Sequence, residues 1–420
     1  MAGYRVVCCT YNGHLARGHG DGDLAGWVGP ALGGSTDGGR EDDAGDAPDF
    51  VAVGIQEMIP LHLALFGLTG TALELHDRHI RSAIQTRYSS KEQGGYTLLA
   101  RRSLGAIALF VYAREDVAQR VERVQSAQAG CGVFGLMGNK GAVGVRVSLV
   151  EPAAEEKGEK GEGRSTWTFV TAHLAAHQSQ KCVERRNADW REIVQRLVFD
   201  VDGREKQLFD CGNVFFFGDL NYRISLNSPT PLPLDILSQR ISSLDFPSAS
   251  TSSLAYTSLL SHDQLSQERA AGRSMHHLQE GRIAFPPTYK FKLGSVDEYA
   301  SFRKRVPGWT DRVLYASAAG KEVEVERYSS VRDFARSDHK PVAAIFALPS
   351  SAATTRLPLS SPFPIDPSWR IKQLVGLALD RSIGGAWCLI MLAGFGRDAR
   401  LGLFNLLLAA VAAYYRRLYL

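Results

Sequence analysis

Apolar residues are grouped in short runs along most of this chain, at 4–10, 50–55, 105–112, 142–150, 167–173, 214–217, 312–315, 323–328 and 342–348. Runs of this length, bounded by Gly, Asn, Asp or Ser and rich in Val, Ile, Phe and Tyr, predict β-strands, because a helix would need a longer segment. Several are apolar at nearly every position, which predicts strands buried on both faces. Three segments, 71–85, 182–199 and 261–278, instead repeat apolar residues at helical spacing and predict amphipathic helices. Many strands with helices interposed predict an α/β or α+β sandwich.

Two polar stretches interrupt this pattern, a Gly/Asp-rich one at 18–46 and EPAAEEKGEKGEGR at 151–164, and both read as solvated loops. Residues 349–367, rich in Ser, Pro and Thr, read as a linker that ends the globular part. Beyond it, 383–396 and 401–415 are almost purely apolar, split by Arg397, Asp398 and Arg400 and followed by Arg416 and Arg417. Each arm is shorter than the about 20 apolar residues a membrane span needs. A tail anchor on 401–420 fits, with the arginines at the far interface; so does a shallow hairpin turning at 397–400. Packing of both arms on the domain is a third arrangement, which the preceding linker opposes. The expected division is a catalytic domain at 1–348, a linker at 349–382 and a hydrophobic membrane-anchoring tail at 383–420.

With 45% apolar and 22% charged residues the 420-residue chain is globular, and a net charge of +4 argues neither for nucleic acid nor for anionic lipid. Six cysteines lie scattered without a CxxC pair, which predicts reduced, structural thiols. The start, MAGYRVVCCTYN, enters a strand pattern at once and lacks the basic and apolar regions of a secretory signal, so the domain is expected to face the cytosol.

The candidate chemistry lies at the strand ends. In NVFFFGDLNYRI, residues 213–224, an apolar run passes directly into Asp219 and Asn221, which at strand periodicity share a face while Leu220 points into the core. An Asx-type turn is the structural alternative for this tetrad. Asn12, Glu57, His173, Asp311, Asp338 and His339 stand at or near the ends of other runs, where α/β sheets place catalytic groups. Carboxylate and amide oxygens suit Mg²⁺, a hard ion that takes few protein ligands and keeps several waters. Asp311 could hold His339 in one tautomer and keep it protonated, and Asp219 could orient or deprotonate a water. Together these parts suit metal-assisted hydrolysis of a phosphate ester.

Longer strings carry a resemblance. GNKGAVGVR (138–146), TAHLAAH (171–177) followed by ERRNADW (184–190), GDLNYRI, FPPTYKF (285–291), RVPGWTDRVLY (305–315) and SDHKPV occur in the order found in the inositol polyphosphate 5-phosphatase family of the endonuclease/exonuclease/phosphatase superfamily, which the chain resembles over roughly 6–348. The resemblance implies a four-layer sandwich of two packed, mainly antiparallel sheets flanked by helices, with the hydrophobic helical tail appended. It implies Mg²⁺ at Glu57 with help from Asn12, and a catalytic set of His173, Asp219, Asn221, Asp311, Asp338 and His339. Asn139, Lys140, Tyr289, Lys290, Lys304 and Arg305 are implied to bind substrate, with Tyr289 and Lys290 matching the residues that grip the neighbouring 4-phosphate. Tyr11 replaces the family's tryptophan, and PGWTDRVL stands for PAWCDRIL; neither change removes a catalytic group.

The activity implied is Mg²⁺-dependent hydrolysis of the 5-phosphate of a phosphoinositide, most naturally phosphatidylinositol 4,5-bisphosphate, by a monomer. The arrangement is similar to that of fungal tail-anchored phosphoinositide 5-phosphatases, implying the cytosolic face of an intracellular membrane such as the endoplasmic reticulum. A nuclease of the same superfamily would need a basic track, which is not evident, so no nucleic-acid partner is expected. A catalytically inactive phosphoinositide-binding module would have lost Glu57, Asp219 or His339, and all three are present.

Overall fold

The computed structural model describes residues 3–14, 26–33, 47–88, 95–151, 163–242, 258–300, 302–303, 305–349, 357, 359–396 and 398–419. The strands are β1 Tyr4–Asn12, β2 Phe50–Gln56, β3 Tyr96–Leu104, β4 Ile107–Arg114, β5 Val121–Gly130, β6 Gly141–Glu151, β7 Gly163–His173, β8 Phe199–Val201, β9 Arg204–Lys206, β10 Asn213–Asp219, β11 Gln279–Glu280, β12 Asp311–Ser317, β13 Glu324–Ser330 and β14 Val342–Leu348. Helices are α1 Val28–Ala31, α2 Leu61–Phe66, α3 Gly70–Tyr88, α4 Glu115–Ala118, α5 Gln180–Arg196, α6 Leu234–Ser242, α7 Gln264–Ala270, α8 Trp369–Ala393 and α9 Ala399–Tyr419.

Two six-stranded sheets form the centre, ordered β13-β14-β1-β2-β4-β3 and β11-β12-β10-β7-β6-β5. Both are mainly antiparallel, and each holds a parallel pair, β1 with β2 and β10 with β7. Strand alternation sorts the apolar side chains into three layers. Val6, Cys8, Phe50, Phe169, Phe215, Phe217 and Phe346 fill the space between the sheets. Val7, Cys9, Val51 and Val53 face outward under Ile80 and Ile84 of α3. Val214 and Phe216 face the other way, under Trp190 and Ile193 of α5. Each central strand therefore needs apolar residues on both faces, which is why the runs look unbroken. All six cysteines are unpaired.

Some elements depart from the expected pattern. β3 and β5 are unforeseen strands; both lie at sheet edges, where half their residues meet solvent and polar side chains dilute the alternation. The expected helix 261–278 is only α7, capped by Asp263, which accepts from Ser266 N at 2.9 Å, and followed by Gly272 at φ 63°. The loops expected at 18–46 and 151–164 lie largely outside the described residues. Within 349–382, Leu357 is buried, and its N–H donates to Cys211 O at 2.9 Å, so this stretch lies along the second sheet's outer face. Helix α8 begins at Trp369, where Arg370, Lys372, Asp380 and Arg381 mask the apolar periodicity.

Next to the site the two sheets are bridged by side chains. Gln56 accepts from Thr10 Oγ1 at 3.1 Å and donates to Thr171 Oγ1 at 2.9 Å, a fully buried polar bridge from one sheet to the other. Gly54 makes room for it: a Cβ there would lie 2.2 Å from Thr171 Oγ1 and 2.8 Å from Phe217 Cε2. Neither neighbour has a flexible end that could swing aside. Overpacking of this kind costs roughly 1–3 kcal/mol, so Gly54→Ala is expected to lower the urea midpoint by a matching amount. A midpoint equal to wild type would show that the gap is not this tight.

Candidate active site

The parallel pairs gather the C-terminal ends of four strands. Asn12 stands opposite Gln56, His173 opposite Asp219, and Asp219 opposite Asp311 across the antiparallel pair β10/β12. Just past the strands, Glu57 and Asn221 adopt positive φ, 53° and 58°. Such conformations are costly for residues with a Cβ and persist where surrounding contacts fix them. For Asn221 the contact is its own N–H, which donates to Asp219 Oδ1 at 3.0 Å. The tetrad GDLN is thus an Asx turn and a functional cluster at once, and its polar residues leave strand periodicity at Asp219.

Asp219 is the centre. Its Oδ2 accepts from Asn12 Nδ2 at 2.9 Å and lies 3.2 Å from His173 Nε2 and 3.9 Å from His339 Nε2. The side chain is 1% exposed. Burial alone would raise its carboxyl, but the charge of His339, then of His173 and Lys140, holds it far below the usual range. His339 is the converse case. Burial opposes its charge, yet Asp311 and Asp219 outweigh burial and push the imidazolium up to about 10. Its Nδ1 meets Asp311 Oδ2 at 2.9 Å, and Thr288 and Thr310 donate to the same carboxylate oxygen at 2.7 and 2.8 Å. Ser337 Oγ accepts from His339 N at 3.1 Å and donates to the Asn12 carbonyl at 2.7 Å, tying the two ends together.

His173 behaves differently from His339. Burial and then Lys140 lower its pKa. Its Nε2 faces both Asp219 and Lys140 Nζ. One nitrogen cannot donate to the carboxylate and accept from the ammonium at once. When Nε2 donates to the carboxylate, the Lys140 ammonium is left free for a phosphate oxygen.

The substrate-binding candidates divide. Lys140 joins the cluster, whereas Asn139 turns inward and accepts from Val133 N at 3.0 Å, closing its own loop. Tyr289 packs against His339 with ring centroids 4.4 Å apart and the ring planes tilted by 41°. Lys290 pairs with Asp338, which also faces His14 Nδ1 at 3.0 Å. Burial would raise the Asp338 carboxyl, but His14, His339 and Lys290 hold it well below the usual range. Arg305 meets His177 Nδ1 at the rim, and Lys304 lies outside the described residues.

Arg223 is a residue the sequence reading passed over. It is 3% exposed, donates through Nη2 to Asn221 Oδ1 at 2.7 Å, and lies 4.0 Å from the Tyr289 ring centroid. Its Nη1 is buried with no hydrogen-bond partner among the described residues. A buried guanidinium with a spare donor, between Asn221 and Tyr289, suits an anion. The signal was present in GDLNYRI, where Arg223 continues the spacing of Asp219 and Asn221.

At the strand ends, two groups of described residues are candidates for a divalent cation. Asp219, Asp311 and His339 place ligand atoms within 4.8 Å of one another, but the His339 imidazolium has no lone pair to offer. Glu57 fits better. Its carboxylate is 28% exposed and lies 4.0 Å from His173 Nε2, beyond hydrogen-bonding reach, and among the described residues it takes no hydrogen bond. With the Asn12 side chain at the end of the neighbouring strand, it offers the oxygen ligands and open side that a hard, partly hydrated cation requires.

A sequence profile of Endonuclease/Exonuclease/phosphatase family 2 matches residues 9–345. The chain is 30% identical over 291 residues to type I inositol polyphosphate 5-phosphatase 8 of Arabidopsis thaliana, covering 64% of this chain and 54% of that protein. It is 31% identical over 303 residues to type II inositol 1,4,5-trisphosphate 5-phosphatase of Mus musculus, covering 71% and 27%. The chain thus spans about half or less of these relatives' length. The crystal structure of the inositol polyphosphate 5-phosphatase domain of SPsynaptojanin, in complex with inositol (1,4)-bisphosphate and calcium ion, is 25% identical and aligns with a TM-score of 0.61 over 90% of each chain. From the profile, the relatives and the shared two-sheet architecture, the chain belongs to the endonuclease/exonuclease/phosphatase family and, within it, to the inositol polyphosphate 5-phosphatase family.

Proposed function

We propose that this protein hydrolyses the 5-phosphate of phosphatidylinositol 4,5-bisphosphate, leaving phosphatidylinositol 4-phosphate, by in-line attack of water on phosphorus. The observation that carries the proposal is the buried Asp219 carboxylate, held ionised among His339, His173 and Lys140 with the spare donor of Arg223 nearby. A carboxylate kept so far below its ordinary pKa is a poor proton acceptor but a good hydrogen-bond acceptor, so Asp219 orients the attacking water rather than storing its proton. As the water oxygen bonds to phosphorus, the bond to the inositol oxygen breaks, and of the two water protons one ends on the released phosphate and the other on the inositol hydroxyl. His339, charged through Asp311, and Lys140 neutralise the phosphoryl oxygens. Glu57 and Asn12 would hold Mg²⁺, which would supply charge stabilisation to the reacting phosphoryl group. Tyr289, Lys290 and Arg223 form the cationic and aromatic wall that suits the vicinal 4-phosphate, with Lys290 exchanging its Asp338 partner for the ring phosphate.

The tail supports a lipid substrate. Helix α8 is long and apolar enough to cross a bilayer by length and composition alone. α9 meets it at a tight turn, where a Cβ on Gly402 would lie 1.8 Å from Ile390 O and Asn405 donates to Ala393 O at 2.8 Å. Leu389, Leu392, Phe395, Leu403, Phe404 and Leu407 are exposed around this turn, which favours the shallow hairpin over a tail anchor on α9 alone. The resemblance to tail-anchored enzymes favours the cytosolic face of the endoplasmic reticulum.

Three measurements test this reading. Asp219→Asn, which keeps the shape and removes the charge, is expected to lower kcat by about 10²–10³-fold or more in a chain that still unfolds cooperatively, with a lowered melting midpoint because the facing cations lose their partner; near-normal turnover would refute the assigned role. The alkaline limb of kcat/KM is expected near pH 10, and Asp311→Asn should move it toward the ordinary histidine value of 6.5. The same pairing stabilises the fold fully below pH 6.5, and its contribution is lost as pH rises through about 10. Finally, EDTA should abolish phosphate release from both phosphatidylinositol 4,5-bisphosphate vesicles and soluble inositol 1,4,5-trisphosphate, and Mg²⁺ should restore it. Release from neither, with cleavage of nucleic acid instead, would favour the nuclease reading.

A further inference from the structure

The segment from Cys131 to Lys140 carries a ligand-facing lysine but has little regular structure, with Phe134 at φ 59° and Gly135 at φ 71°. It is held from two sides. From α5, Arg196 donates to Gly135 O at 2.9 Å and Arg185 donates to Cys131 O. From the C-terminal side, α8 approaches with one face. Residues 376 and 380 lie one turn apart on a helix and so share that face. Gly376 passes so close that a Cβ would lie 2.4 Å from Leu136 O. Asp380, a carboxylate only 4% exposed, accepts from Gly138 N through both oxygens at 3.0 Å. Gly138 directly precedes Asn139, whose side chain closes the loop, and Lys140, whose ammonium lies on His173.

We infer that Asp380 is a positioning residue: by fixing the Gly138 amide it holds the loop so that Lys140 reaches the phosphate, and α8 thereby completes the anion site of the catalytic domain. The inference rests on the phosphatase reading. A buried carboxylate needs a donor, and here that donor is a backbone amide in the substrate loop. The placement of Gly376 beside Leu136 makes the approach specific to this helix register, since a side chain at 376 would push α8 away from the loop. Asp380 touches neither Asp219 nor His339, so its influence on the reaction passes through the loop.

The test uses the full chain and soluble inositol 1,4,5-trisphosphate, so that membrane recruitment plays no part. Asp380→Ala is expected to speed amide exchange at Gly138 and to raise KM about tenfold, the order expected for losing a hydrogen bond to a charged group, with kcat little changed. Asp380→Asn keeps an acceptor oxygen and is expected to restore both. In a Lys140→Ala background, Asp380→Ala should add little, because both changes act on the same contact. Unchanged exchange at Gly138 would overturn the contact. Freed exchange with an unchanged KM would overturn its role in positioning, as would a fall in kcat that asparagine fails to rescue. Should wild type hydrolyse neither ester, the phosphatase reading fails; the dissociation constant for the trisphosphate then replaces KM, and an unchanged value in Asp380→Ala would overturn this inference separately.

Discussion

An ionised carboxylate with almost no solvent access is the constraint around which this molecule is arranged. Removed from water, Asp219 would neutralise unless charge and hydrogen bonds replaced its hydration. The replacements come from both sheets: Asn12 from the end of β1, His173 from β7, and His339 from the segment leading into β14. The site therefore exists only when the sheets are packed face to face. It is a property of their junction rather than of any one motif. Asp311, itself anchored by Thr288 and Thr310, keeps His339 charged and so sustains Asp219 in turn. The paired groups depend on each other more than on local backbone preference, and removing one would leave a buried charge without its partner.

The rest of the fold serves that junction. Parallel pairing at the centre of each sheet is less common than antiparallel pairing, but it brings the C-terminal ends of neighbouring strands to the same rim. Close below the rim, the Thr10–Gln56–Thr171 bridge and Gly54 lock the separation of the two sheets. Buried polar bridges with every group satisfied favour one arrangement over nearby alternatives. Arg312, fully buried and paired with Glu280 at 2.6 Å and Asp263 at 2.9 Å, fixes β12 from the opposite side of Asp311.

Much of this was legible in the chain because the central strands are buried on both faces and cannot tolerate polar residues. The same requirement makes their ends conspicuous, and Asn12, Glu57, His173, Asp219, Asp311 and His339 all stand there. The edge strands β3 and β5 were not legible, since solvent accepts Arg101, Arg102, Glu122 or Gln125 as readily as an apolar residue. Asn221 was placed beside Asp219 for the wrong reason: the two meet through a turn at positive φ, not through strand alternation. Arg223 sat in plain view, but its value depends on which donor is left unpaired, and only packing decides that. Asp380 offered no signal at all. Its partner is a backbone amide 242 positions away, and main-chain groups have no signature in sequence.

The pairing of β1 with β14, from Tyr4 opposite Leu348 to Thr10 opposite Val342, has a consequence for biosynthesis. The first strand of this domain to be synthesised has one of its lasting neighbours near the domain's far end. Until β14 arrives, one edge of β1 has unpaired backbone groups, and the His339 imidazole that faces Asp219 has not yet been made. Non-local closure of this kind is slow and leaves intermediates open to aggregation. A nascent chain would therefore have no partly assembled site of lasting form: the cluster around Asp219 would be complete only when the closing strand docks.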